Sequence, residues 1–109
     1  MIRMEAIWVS TTPCDLRAGM DTLLARVVQV FGEARPHHAY LFANRRATRM
    51  KVIVHDGIGL WLATRRLHRG RFPWPEGAAP VTLSHPQFDA LVLGLPWRNL
   101  RDGGVIRLL

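Results

Sequence analysis

The chain has 109 residues, 49% of them apolar, which suits one compact domain with one core and leaves little room for a second. Fifteen Lys and Arg stand against eight Asp and Glu, a formal charge of +7; with a pI near 11.4 this puts nucleic acid first among partner classes. The single cysteine, Cys14, excludes an intrachain disulfide and any zinc-finger spacing, and no apolar run approaches the ~18 residues of a membrane span.

Fourteen of the fifteen cations are Arg, whose planar fork binds phosphate bidentately and stacks on bases. A GC-rich genome would raise the Arg content as well, so composition alone does not separate the two. Met1 to Glu5 lacks the apolar core of a signal peptide, and the expected location is the cytoplasm.

In chain order, Ala6 to Ser10 reads as a short strand. Thr12-Pro13-Cys14-Asp15 follows as a capping box, with Thr12 at N-cap, Pro13 at N1 and Asp15 at N3. Leu16, Met20, Leu23, Leu24, Val27 and Phe31 recur at helical spacing up to Gly32. Gly19 weakens the first turn, and the alternative is a helix from about Asp21 with Asp15 to Gly19 as a loop. Arg17 and Asp21 are spaced for an ion pair along such a helix.

Ala39 to Ala43 is a short apolar strand, and Asn44 to Thr48 a polar, basic turn. Met50, Val52 and Val54 alternate with Arg49, Lys51 and Ile53. Asp56-Gly57 signals a hairpin, Gly59 allows a longer loop, and Leu60 to Leu67 is the return strand. Phe72-Pro73-Trp74-Pro75 is no central strand, because two prolines remove ladder donors. Val81 to Leu83 is a short strand. Ser84 at N-cap and Gln87 at N3 then open a second helix, with Leu83 stapled to Phe88. Phe88, Leu91, Val92 and Leu95 form its buried stripe, and Gly94, Pro96 and Trp97 close it. Val105 to Leu109 reads as an edge strand or a frayed end. The order gives an α+β domain over residues 1–98, with a mainly antiparallel sheet, a central β-hairpin meander and two helices packed on it, and a tail over 99–109.

The chemistry concentrates in one stretch. Arg45, Arg46, Arg49, Lys51, Arg65, Arg66, Arg69 and Arg71 place eight cations within 27 residues, against one acid, Asp56. A hairpin turning at Asp56-Gly57 brings its outer ends together, so clustering in sequence becomes clustering in space. Such a ribbon can enter a major groove or lie on a phosphate backbone; the bland alternative is a sheet edge protected by charge. Among Trp8, Trp61, Trp74 and Trp97, the best candidate for exposed stacking is Trp74, although a core role suits so large an apolar side chain. Arg45, Arg46, Arg65 and Arg69 are the preferred phosphate contacts, while Arg66 and Arg71 are expected to brace Phe72 and Trp74. Asp15 is expected to shape the loop or helix start and not to act chemically.

Nothing points to catalysis or to a cofactor. The acids are scattered, whereas two-metal nucleases need several converging on one metal pair. His37-His38 and His55-Asp56 are adjacent pairs whose side chains diverge on a strand, and Gly57 and Gly59 do not precede a helix as in a phosphate-binding loop.

Four blocks resemble the TnpB-type accessory protein of insertion sequences of family sixty-six, which is unrelated to the RNA-guided nuclease sharing the TnpB name. They are Asp15-Leu16-Arg17-Ala18-Gly19-Met20-Asp21; Tyr40-Leu41-Phe42 through Arg45-Arg46; Arg49 to Val54 followed by Asp56 to Leu62; and Arg66-Leu67-His68-Arg69-Gly70-Arg71-Phe72-Pro73-Trp74-Pro75, the most distinctive. Leu93-Gly94-Leu95-Pro96-Trp97 also fits. The basic turn, Ala43 to Ala47, lacks the family's usual glycine, and His55 and His68 replace a usual aromatic and a frequent acid. The resemblance implies a helper in transposition, without enzyme activity, beside a separate transposase that carries the catalytic acids. DNA and that transposase are the expected partners, a homo-oligomer is possible and a membrane is not expected. A protein-interaction subunit that does not touch DNA, and a small RNA-binding protein, stand as alternatives.

Overall fold

A computed structural model describes residues 3–98 and 100 of the protein. The elements are β1 (Ala6–Val9), α1 (Met20–Phe31), β2 (His38–Ala43), β3 (Arg49–His55), β4 (Leu60–Arg66), β5 (Val81–Leu83) and α2 (His85–Val92). The strands form one five-stranded sheet in the order β4-β3-β2-β1-β5. β1 and β2 run parallel, with α1 as the long connection that parallel neighbours need. The other three pairings are antiparallel, and β2-β3-β4 is the expected meander.

Period-two alternation splits the apolar side chains between two cores. Ile7, Val9, Leu41, Met50 and Val54 face α2 and the irregular segment after β4, where Phe72, Leu91 and Trp97 join them. Tyr40, Phe42 and Ile53 face α1 and meet Leu23 and Val27. β2 is covered on both faces, and Tyr40, Leu41 and Phe42 are at most 1% exposed. Each such side chain contributes roughly 1.5–3 kcal/mol of burial.

The first helix takes the later of the two expected starts, near Asp21 and not behind Thr12. Thr12 caps nothing; α1 begins at Met20 behind Gly19, whose place at the N-cap supplies no side-chain acceptor. Residues 10–14 instead run on beside β2, with Ser10 N–H donating to Leu41 C=O and Cys14 N–H to Ala43 C=O, both at 2.9 Å. Asp15 is then taken by Arg17, and the expected Arg17–Asp21 pair does not form: Arg17 Nη2 lies 2.8 Å from Asp15 Oδ2.

The second helix start is as the sequence indicates. Ser84 Oγ accepts the Gln87 N–H and Gln87 Oε1 accepts the Ser84 N–H, a reciprocal capping box. Leu95 is not in the buried stripe but 40% exposed, because α2 ends at Val92 and Gly94 turns the chain with φ +74°. Leu100 packs into the α2-side core, while the expectation for Val105 to Leu109 lies outside the described residues. Among the described residues no helix is long and apolar enough to cross a membrane.

Candidate nucleic-acid interface

The basic turn is organised by Asn44. Its Oδ1 accepts the backbone N–H of Thr48 (2.9 Å) and of Arg49 (3.2 Å), and its Nδ2 donates to Thr48 Oγ1 (3.0 Å). Three hydrogen bonds from one short amide close the loop and leave Arg45 and Arg46 exposed at its tip. Ala47 takes the left-handed conformation, φ +54°. Its carbonyl accepts the Phe72 N–H at 2.7 Å, so the turn is tied to the Phe72-Pro73-Trp74-Pro75 segment.

The hairpin register decides where the other cations point. Arg49 is the Cα partner of Arg66, and Met50 that of Arg65. Arg49, Lys51 and Arg66 therefore share the α1 face of the sheet, and Arg65 lies on the α2 face with Met50. Arg65 Nε donates to Val92 C=O at 2.6 Å, a cation on the carbonyl end of α2. Lys51 Nζ donates to Ala18 C=O at 3.2 Å and is half-buried. These two are engaged within the fold.

Arg45, Arg46, Arg49, Arg66, Arg69 and Arg71 are exposed, as is Arg65 apart from its bond to Val92. Among the described residues the salt bridges are Arg3–Glu5, Arg17–Asp15 and Arg35–Glu33, so none of the six is paired there. Among the described residues neither the Arg66 nor the Arg71 side chain hydrogen-bonds to the aromatic segment. Backbone and indole bonds hold that segment: Trp74 Nε1 donates to Ser10 C=O (2.9 Å) and Trp97 Nε1 to Pro73 C=O.

Two clefts flank the turn and share Pro13, Asn44 and Arg45. The first, about 410 Å³, also has Asp15, Arg17 and Arg49 on its walls. There Arg17 offsets the acid: hydrogen bonds from its guanidinium and then its backbone N–H hold the Asp15 carboxyl down at about 2. The second, about 420 Å³, lies against Trp74 and its flanking prolines, with Arg46, Arg71 and Arg98 beside Arg45 and one acid, Glu76. Arg69 lines neither cleft.

Sequence reasoning missed Arg98, which lies 27 residues beyond Arg71 in sequence; only the fold brings the two together. It also missed Trp61, the exposed tryptophan at 54%. Trp74 is half-buried and anchored at its indole nitrogen, which suits a core role, yet it still lines the second cleft. Asp56 serves its loop: N–H groups of Ile58 and Gly59 bind Oδ1 and the Trp61 indole binds Oδ2. These donors, led by Ile58, depress its pKa. Among the described residues no three His, Cys, Asp or Glu side chains are grouped to hold a metal ion.

Comparison with known proteins adds a family. A family model described as "IS66 Orf2 like protein" matches residues 5–102. The uncharacterized protein y4hO of Sinorhizobium fredii (strain NBRC 101917 / NGR234) is 38% identical over 100 residues, spanning 88% of this chain and 85% of its own. The uncharacterized protein y4jC of the same strain is 35% identical over 106 residues, spanning 93% and 88%. No solved structure gives a significant match.

Proposed function

The chain belongs to the IS66 Orf2-like family, whose members are accessory proteins associated with transposition, and from that premise we propose that it binds DNA without catalysing a reaction, in support of a separate transposase. The binding surface is the basic end of the β3–β4 hairpin and the turn before it.

The observation that carries this reading is the Arg49–Arg66 pair. Two like charges directly opposite on neighbouring strands repel, and no carboxylate pairs with either among the described residues. A phosphate backbone supplies the missing counter-charge, and Arg45 and Arg46 extend the same surface around the turn. Lys51 is half-buried on the loop before α1 and Arg65 is tied through Nε to the carbonyl end of α2, so Arg49 and Arg66, already among the eight candidates, join Arg45 and Arg46 as the preferred phosphate contacts. The test is duplex binding by the purified protein across a salt series, since each neutralised phosphate adds about 0.9 to the slope of log affinity against log salt.

A second reading concerns the opposite end of the hairpin. Ile58 in the hairpin loop is 99% exposed and Trp61, near the start of β4, is 54% exposed, and exposed apolar side chains at one end of a hairpin suit a protein contact. The transposase meets the protein there in this reading, away from the arginines.

A further inference from the structure

The cleft against Trp74 is built differently from the open hairpin face. Its wall, Phe72 to Pro75, is fixed at four points: Phe72 N–H on Ala47 C=O, Trp74 Nε1 on Ser10 C=O, Trp97 Nε1 on Pro73 C=O, and Arg98 Nη2 on Trp74 C=O at 3.1 Å. The Arg98 guanidinium carbon also sits 4.8 Å from the centre of the Trp97 ring. Four arginines, Arg45, Arg46, Arg71 and Arg98, surround about 420 Å³ of space against the single carboxylate of Glu76.

We infer that this cleft holds one nucleotide of an unpaired strand, its phosphate between Arg71 and Arg98 and its base against Trp74 and the flanking prolines. The inference rests on the reading that the protein binds DNA, and it assigns to the cleft a ligand that the hairpin face does not take. A duplex turns its bases inward and offers a flat protein face little beyond sugar and phosphate. An unpaired base exposes a π-face, which an aromatic platform flanked by cations recognises whatever the base. The cleft volume falls in the range of small-ligand sites, the size of a nucleotide and not of a double helix.

Pre-organisation strengthens the assignment. The Trp74 indole is already held through its nitrogen, so stacking on it freezes no side chain. Arg98 uses one donor of its five on the Trp74 carbonyl and keeps the rest for an anion. Arg71 makes no hydrogen bond through its side chain among the described residues.

The experiment compares the wild type, Arg71→Ala and the double variant Arg71→Ala/Arg98→Ala by fluorescence anisotropy. The probes are short oligo(dT), short oligo(U) and a blunt mixed-sequence duplex, and the two single strands distinguish DNA from RNA as the source of the unpaired nucleotide. In the double variant we expect affinity for the preferred single strand to fall about tenfold or more. Duplex affinity should change less than about threefold, because the hairpin arginines are intact. Equal losses on both kinds of probe, or no loss on either single strand, overturn the inference. A wild type that binds duplex but neither single strand also overturns it and leaves the hairpin reading standing; one that binds nothing removes both. Since Arg98 also supports the cleft wall, ultraviolet cross-linking of the unaltered protein to oligo(dT) and oligo(U) gives an independent readout. Adducts should map to residues 71–76, and adducts only at Trp61 or elsewhere refute the assignment.

Discussion

Phe72 donates its backbone N–H to the carbonyl of Ala47 at 2.7 Å, and this one bond joins the two segments that make the basic end of the molecule. It requires the turn to present that carbonyl outward, which Ala47 does in the left-handed conformation at φ +54°. That conformation costs a residue with a Cβ about 1 kcal/mol that glycine does not bear. Ala47→Gly is therefore expected to stabilise the protein by up to about 1 kcal/mol. At this chain length that raises Tm by several degrees, about 4–8 °C per kcal/mol. A thermal melt showing no gain, or a loss, contradicts the left-handed turn.

Asn44 is the other support of the turn. Asn44→Ala removes the acceptor of two backbone N–H groups and a donor to Thr48, at an expected cost of about 1–3 kcal/mol. Asn44→Asp keeps the acceptor and places a negative charge beside Arg45. It should cost less stability and weaken DNA binding more. Denaturant titration and DNA titration of the two variants check the pair; the reverse ordering, with Asn44→Ala weakening DNA binding more, would show that the geometry of the turn and not charge beside Arg45 governs binding there.

Much of the frame is legible in the sequence because local signals and tertiary packing agree there. Met50, Val52 and Val54 alternate, Asp56 and Gly57 turn, and the hairpin follows with its register. Ser84 and Gln87 cap α2 as their spacing indicates. Thr12 to Asp15 carry an equally good local signal, yet the Cys14 bond to Ala43 draws the backbone along β2 and the helix waits until Met20. The cluster of arginines is readable, but not their sorting. Arg65 and Arg66 are neighbours in sequence and point to opposite faces, so which of them is free depends on what packs on each face. Arg98 and the exposure of Trp61 carry no local signal at all.

Asp15 is expected to act on structure and not on binding chemistry. Its carboxyl, ordinarily near 3.8, is held at about 2 by Arg17. A folded value below the ordinary one means that the carboxylate form stabilises the fold. That stabilisation is present above about pH 4 and is lost as the pH falls towards 2. Thermal melts between pH 5 and pH 2 should show a smaller acid-induced loss for Asp15→Asn than for the wild type (the pH limits bracket those two pKa values), with duplex affinity at neutral pH unchanged. Full stability across that range together with lost DNA binding would make Asp15 a functional residue.

The most direct measurement is the salt dependence of duplex binding for the quadruple variant Arg45→Ala/Arg46→Ala/Arg49→Ala/Arg66→Ala. Removing one arginine–phosphate pairing flattens the slope of log affinity against log salt by about 0.9, and removing four flattens it by up to about 3.6. The weakening should be alike for all duplex sequences, because backbone binding carries no sequence information. Arg65→Ala is the control: it frees the Val92 carbonyl, so it should lower stability and leave the slope in place. DNA binding at the hairpin end predicts a flattened slope and weakened affinity in the quadruple variant with a folded protein. An unchanged slope and affinity in that folded variant would contradict it.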